Sequence, residues 1–458
     1  MEECMKQWKR DGWRLQLGRL LAALLFLSAG ASEAAETAAP LQGIVSAPPA
    51  GEKALMLDEA VRIALENHPS VKSAEQQVGA QGAVVGQQLA AYYPTISFSN
   101  TYRTTNTSGT TSIPAKAFDF TSTTANVSMT LYNFGKREGA VESARDTLQA
   151  TQYAYNATAN NVVLAVKQAY YGVLQANALL NVRQETLKDR ELLLRQTEAF
   201  NEVGIKPRSD VTQAQANFFS AQADLITAQN GVEVAWTTLR NALGVDSYPE
   251  QPLGEQLSVM PFPISLDEAK QAAFTARPEL LQFGAQLKAQ DQLLAVARRN
   301  HLPDILFTSI YGVQNNDLAS PHPHDMWPLV PTWQIQLSFN IPIFNGFQTT
   351  QQVQQALYNY NSTKEQERLQ RQQVTLQVEQ SYLNLTAGQG VVKANEATVK
   401  AAKENLDLQE GRYQVGVGSI IEVTDAQATY TNAETNYVNA LASYNLAQAQ
   451  LLNAMGRQ

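Results

Sequence analysis

The chain has 458 residues, 17% of them charged, a formal net charge of −8 and a single cysteine. Charged residues make up about a quarter of an ordinary soluble domain; here alanine and 46 glutamines take up the difference. An acidic chain without clustered Lys and Arg is a poor partner for nucleic acid, and one cysteine excludes a disulfide framework and a cysteine-based zinc site.

In chain order, Lys6, Lys9, Arg10, Arg14 and Arg19 precede an apolar run over 20–29 and the small residues Ala29, Gly30 and Ala31. That is the layout of a secretory signal peptide over 1–31. Its five basic and three acidic side chains leave with it, taking the net charge to −10, and so does Cys4. No lipidation cysteine follows the apolar run. No later stretch offers 18 consecutive apolar residues, so any membrane crossing falls to strands. Residues 32–54 read as a flexible N-terminal segment.

The rest is written twice. Leu57-Asp58-Glu59-Ala60 returns as Leu266-Asp267-Glu268-Ala269, 209 residues on, with Pro69 matching Pro278 and Pro94 matching Pro303. Beyond a three-residue slip the offset is 212: Tyr170 matches Tyr382, Val203-Gly204 matches Val415-Gly416, and Gly244 matches Gly456. The repeats span 55–244 and 265–458; the linker 245–264 carries Pro249, Pro252, Pro261 and Pro263.

Each repeat reads as helix, strand, loop, strand, very long helix, tight turn, helix. No proline interrupts 136–201, so one helix of roughly 100 Å is expected there at 1.5 Å per residue. Apolar residues recur every seven positions at Val166, Val173, Leu180, Leu187 and Leu194, and again at Val378, Leu385, Val392, Val399 and Leu406. Such a stripe packs as a coiled-coil seam. With Ala, Gln, Asn, Thr and Ser around it, the helix suits a wall between two bodies of water.

Strands are expected near 95–105, 124–132, 304–312 and 332–342. The clearest sets Trp333, Ile335, Leu337, Phe339 and Ile341 against Gln334, Gln336, Ser338 and Asn340. In the second strand Val127, Met129 and Leu131 are expected on one face. Short strands, apolar on one side and polar on the other, fit an outer-membrane barrel; a soluble half-buried sheet shows the same alternation. In the barrel reading Tyr92, Tyr93, Tyr132 and Phe344 lie at one rim and Trp327 and Trp333 near the other, as aromatic girdles. Four strands cannot enclose an aqueous lumen, since small barrels take about eight. Open edges cannot face lipid. Strands in a membrane would therefore oblige several chains to share one barrel.

A leader, a duplicated strand–long-helix unit and paired Val-Gly turns resemble the outer membrane efflux protein family, the TolC-like channels, over 55–457. The resemblance implies a mainly α fold with a transmembrane β-barrel. A homotrimer would pool four strands per chain into twelve, above a long periplasmic α-helical barrel. It implies no enzymatic activity and no cofactor or metal. It also implies an exit duct through outer membrane lipid, for a tripartite efflux pump or a type I secretion system. The partners would be a periplasmic adaptor protein and an inner-membrane pump or ABC exporter. A secreted coiled-coil scaffold without a pore would account for the heptads but not for the strands.

Val203-Gly204-Ile205 and Val415-Gly416-Val417 end the long helices, where glycine takes the left-handed conformation. Helix capping alone is a sufficient reason for the glycines; the resemblance makes the two turns the adaptor-binding tip. Glu422 and Asp425, three apart, share a helix face, ordinarily a solvated one. The resemblance implies a periplasmic aperture lined by them, with Tyr413 and Asp210 in the contacts that hold it closed. A basic residue helpful at position 418 in relatives is Gly418 here, so closure would be held differently. His322-Pro323-His324-Asp325 is spaced poorly for a metal, and His68 and His301 stand alone.

Overall fold

The computed structural model describes residues 54–107, 116–260, 262–315 and 329–457. The expected signal peptide, residues 32–53, Trp327 and the His322–Asp325 motif lie outside the described residues. In the first repeat α1 (Leu57–Asn67), α2 (Pro69–Leu89) and a 3-10 turn (Ala90–Tyr92) lead into β1 (Thr95–Thr107) and β2 (Lys116–Tyr132). The helices α3 (Lys136–Glu202) and α4 (Arg208–Leu243) follow. The second repeat runs through α5 (Leu266–Ala276), α6 (Pro278–Arg299), β3 (Asp304–Gln314), β4 (Val330–Asn340), α7 (Gln348–Gln414) and α8 (Ile420–Ala454). Proline at the first position of α2 and α6 supplies a preset φ where the N–H has no helical partner anyway. Ser265 and Ser419 each form a capping box, with Glu268 and Glu422.

The strands form one antiparallel sheet in the order β1-β2-β3-β4, so β1 and β4 are its open edges. Register places Phe98, Ala125, Tyr311 and Trp333 in one row, and Met129, Phe307 and Leu337 in another, on the same face. The opposite face carries Ser99, Thr124 and Gln336, with a hydroxyl pair Ser99–Thr124 at 2.9 Å and another, Thr95–Ser128, at 2.6 Å.

Three expectations are corrected here. The second strand begins at Lys116 rather than 124, because β1 pairs with it as far as Thr107 opposite Lys116. The fourth ends at Asn340, not 342; Pro342 has no N–H to give a ladder. A bulge between Thr130 and Tyr132 makes Leu131 the extra residue, so Tyr132 rather than Leu131 continues the face of Met129.

The helices follow the order of the strands. Near the sheet the layer reads α2, α3, α6, α7; farther away α4 and α8 replace the shorter helices, giving α4, α3, α8, α7. Two equivalent clusters hold α1 and α5 against the long pairs. One joins Ala60, Ala64, Val166, Tyr170 and Leu239; the other joins Ala269, Ala273, Val378, Tyr444 and Leu451. The Tyr170 hydroxyl donates to the Leu55 carbonyl at 2.9 Å.

The heptad seam holds in α7, where Val378, Leu385, Val392 and Leu406 are buried and Val399 partly so. In α3 it holds only at Val166 and Val173. Leu180, Leu187 and Leu194 are only partly buried, and the seam passes to Arg190, Leu193 and Thr197. The far half of α3 packs against both α4 and α8, and there Arg190 and Thr197 find their partners in Gln427 and Tyr413.

Candidate functional site: the paired turns and the cleft above them

Both long helices end in the same hydrogen-bond pattern. Gly204 N–H donates to the Asn201 carbonyl and Ile205 N–H to that of Phe200, at 3.0 and 2.9 Å. Gly416 N–H donates to Tyr413 and Val417 N–H to Arg412, at 3.1 and 3.0 Å. These are Schellman closures, which require a left-handed residue; φ is +76° at Gly204 and +83° at Gly416. No atom would touch a Cβ added at either glycine, so conformation alone selects it. Val203, Ile205, Val415 and Val417 are each at least 60% exposed. Four apolar side chains thus stand in solvent on two adjacent turns, which capping by itself does not explain.

Between the turns lies a small core of Leu193, Ala214, Tyr413, Ile420 and Val423. Tyr413 is 1% exposed, its ring 6.0 Å from that of Phe200 and its hydroxyl 3.2 Å from Thr197 Oγ1. Burial pushes its phenol up, the Thr197 hydrogen bond draws it back, and the Asp210 charge adds to the rise. Asp210 acts on Tyr413 through that field, while its carboxylate accepts from Ser209.

A residue missed in the sequence completes this contact. Lys206 places its ammonium 4.7 Å from the centre of the Tyr413 ring and donates to the Gly418 carbonyl at 3.1 Å. It lies 212 residues before Gly418, at the equivalent position of the other repeat. Lys206 thus brings a positive charge to Gly418 from the equivalent position of the other repeat, a signal legible had the repeat offset been carried into the turn. A side chain at 418 would be crowded: its Cβ would lie 3.0 Å from Tyr413 N and 3.1 Å from the carbonyl carbon of Arg412.

Glu422 and Asp425 differ in environment. The Glu422 carboxylate accepts from Ser419 N–H at 3.2 Å, capping its own helix, and lies 3.8 Å from Arg412 Nη1. Asp425 is exposed one turn along. Above them a cleft of about 290 Å³ opens between α3, α7 and α8, lined by Glu185, Asp189, Arg190, Glu410, Tyr430 and Glu434 among others. Arg190 donates to the Gln427 amide oxygen at 2.6 Å, and Gln427 in turn donates to Glu410 at 3.2 Å. Burial, and then the charges of Glu410 and Glu185, push the Asp189 carboxyl up against the opposing pull of Lys188.

At the strand–helix junction Tyr93, Tyr132 and Phe344 are exposed, while Tyr92 is partly covered by the Arg137 guanidinium 3.8 Å from its ring centre. Trp333 is exposed near the start of β4, opposite Tyr311. Among the described residues no group of His, Cys, Asp and Glu is arranged to hold a metal, and no helix is long and apolar enough to cross a membrane.

The sequence pattern of the outer membrane efflux protein family matches residues 60–245 and 270–457, one stretch in each repeat. Outer membrane protein TolC of Escherichia coli is 27% identical over 66% of this chain and 62% of that protein; the chain spans somewhat under two thirds of that relative. TolC of Vibrio cholerae is 27% identical over 87% of this chain and 90% of its own. The fold is shared with the crystal structure of the Campylobacter jejuni CmeC outer membrane channel. There the TM-score is 0.75 at 20% identity, covering 87% of this chain and 85% of that one.

Proposed function

The chain belongs to the outer membrane efflux protein family, and from that premise we propose that three copies form an exit duct from the periplasm through the outer membrane. The observation that carries the reading is that sheet and helical layer end at matching open edges. β1 follows α2 and β4 precedes α7, and among the described residues each of these strands pairs along one edge, while α2 meets the layer through α3 and α7 meets it through α6 and then α8, all on one side. Strand edges left open in lipid cost several kcal/mol per unpaired group. Joining β4 of one copy to β1 of the next removes every edge once the ring closes. The same closure covers Leu369, Leu376 and Leu383, exposed every seven residues on α7, and Phe219 and Ile226, seven apart on α4. In such a ring the Phe98–Trp333 face meets lipid and the Ser99–Thr124 face lines the lumen. The girdle is Tyr93, Tyr132 and Phe344 at one level and Trp333 and Tyr311 at the other.

The periplasmic end carries the selectivity and docking functions. The four apolar side chains of the two turns dock a periplasmic adaptor, which joins the duct to an inner-membrane pump or ABC exporter. Glu422 and Asp425, three copies of each, ring the aperture and favour cations. Transport needs no chemistry from the duct itself. Purified protein in a planar lipid bilayer tests the reading: discrete cation-preferring conductance steps are expected, and a membrane left insulating by trimeric protein would overturn it.

A further inference from the structure

The internal duplication supplies a template for the joint between copies. Around the layer the helices alternate between a short one that enters a strand (α2, α6) and a long one that leaves a strand (α3, α7). The contact of α3 with α6 inside the chain is therefore the counterpart of α7 with α2 of the next copy. Inside the chain that joint is charged. Arg299 Nη1 donates to the Gly135 carbonyl at 2.8 Å, and Lys136 pairs with Asp304 at 3.0 Å. A Cβ on Gly135 would lie 3.0 Å from Arg299 Nη1, so the guanidinium fills the space a side chain there would need.

Carried by the offsets of 212 and 209, Gly135 becomes Phe347 and Arg299 becomes Ala90. Lys136 and Asp304 become Gln348 and Thr95, so the ion pair disappears as well. Both turns hold two successive left-handed residues, Phe134-Gly135 and Gly346-Phe347, with the aromatic and the glycine exchanged. Phe347 has φ +66°, a conformation strained for a bulky side chain. In one copy it gains little for that strain: it is 65% exposed, and its ring lies against another exposed ring, that of Phe344, at 5.4 Å between centroids. Ala90 and Tyr93 are exposed on the opposite edge of the chain.

We propose that Phe347 of each copy seats over Ala90 of the next, filling the space that Arg299 occupies over Gly135 within the chain. The interaction surface is the strand–helix junction on the α2 edge, and its partner is a second copy of this chain. The inference rests on the trimer reading and specifies one contact in it.

The test uses the full-length protein in detergent, first measured for mass and then for the half-life of the assembly at a fixed denaturing temperature. Phe347→Gly removes strain, so a role confined to one chain predicts a trimer unharmed or steadied. The proposed seat predicts a half-life shortened about tenfold, the scale of losing a buried aromatic contact. Ala90→Arg is expected to do the same by intruding on the ring. The double variant A90R/F347G rebuilds the Arg299–Gly135 arrangement between copies and is expected to recover most of the wild-type half-life. Additive losses in the double variant, or single variants without effect in a wild-type-sized trimer, would overturn the seat alone. A wild-type mass other than three chains would overturn the trimer reading and the seat with it.

Discussion

Lys206 ties the first turn to the second, and its removal has a consequence whose size follows from the structure. Lys206→Met keeps the stem length and deletes the ammonium, taking away the 3.1 Å bond to the Gly418 carbonyl and the contact 4.7 Å from the centre of the Tyr413 ring. A charge-assisted hydrogen bond contributes about 1.5–3 kcal/mol when buried and a cation–π contact about 0.5–1 kcal/mol at exposed sites. Lys206 is partly exposed, so solvent screening brings the sum to about 1–2 kcal/mol per chain. Separation of the two turns should then become about tenfold more frequent, at 1.4 kcal/mol per decade. Hydrogen exchange read by mass spectrometry on the detergent-solubilised protein checks this. The amides of Val417 and Gly418, both bonded to the Arg412 carbonyl, should exchange about tenfold faster in the variant, while the segment around Tyr170 keeps its rate. Adding Gly418→Arg should not restore protection, because a Cβ there meets Tyr413 N at 3.0 Å. Unchanged exchange at 412–418, or equal acceleration along the whole chain, would refute the tie.

Other outcomes follow from the same geometry. Glu422→Gln with Asp425→Asn should lower cation preference and raise conductance in planar bilayers without unfolding the tip, since glutamine still completes a capping box with Ser419. Unchanged selectivity would sink the ring of carboxylates. Gly416→Arg meets no atom but must adopt φ +83°, a strain of about 1–2 kcal/mol; it should abolish cross-linking to the adaptor while the trimer mass stays the same. Asp189 carries a raised pKa in the fold, so the folded state binds its proton more readily than the unfolded chain does. The cost of burying its charge, with the added repulsion of Glu410 and Glu185, is present at neutral pH and is relieved as the pH falls through the raised value. Asp189→Asn should therefore raise Tm at pH 7, and the gain should vanish below the ordinary Asp value of 3.8. A gain that persists in acid would show that the buried charge of Asp189 is not its cause.

Much of this architecture is written in local pattern. Duplication, unbroken 67-residue helices and alternating strands all depend on spacing and on where proline is absent, which a single chain displays openly. What the sequence concealed was set by neighbours. The seam of α3 shifts to Arg190 and Thr197, whose partners Gln427 and Tyr413 come from the other repeat. β2 extends back to Lys116 through Ser- and Thr-rich positions with weak alternation, because β1 is there to pair with it. The bulge at Leu131 turns one residue out of phase, and period-two reading cannot see an inserted residue. At the tip, Val203-Gly204 and Val415-Gly416 were legible because glycine marks a left-handed closure. Lys206 was not, because its partners Tyr413 and Gly418 are more than 200 residues away and one of them is a backbone carbonyl. Gly418 read as the loss of a basic residue; Lys206, its counterpart in the other repeat, donates to its carbonyl.

The central claim is that one chain is an incomplete wall, closed only by copies of itself. The most direct measurement is the mass of the detergent-extracted protein by light scattering corrected for bound detergent. Three chains, with no smaller folded species, is the result this account predicts. A stable folded monomer, with the β1 and β4 edges left open, would contradict it.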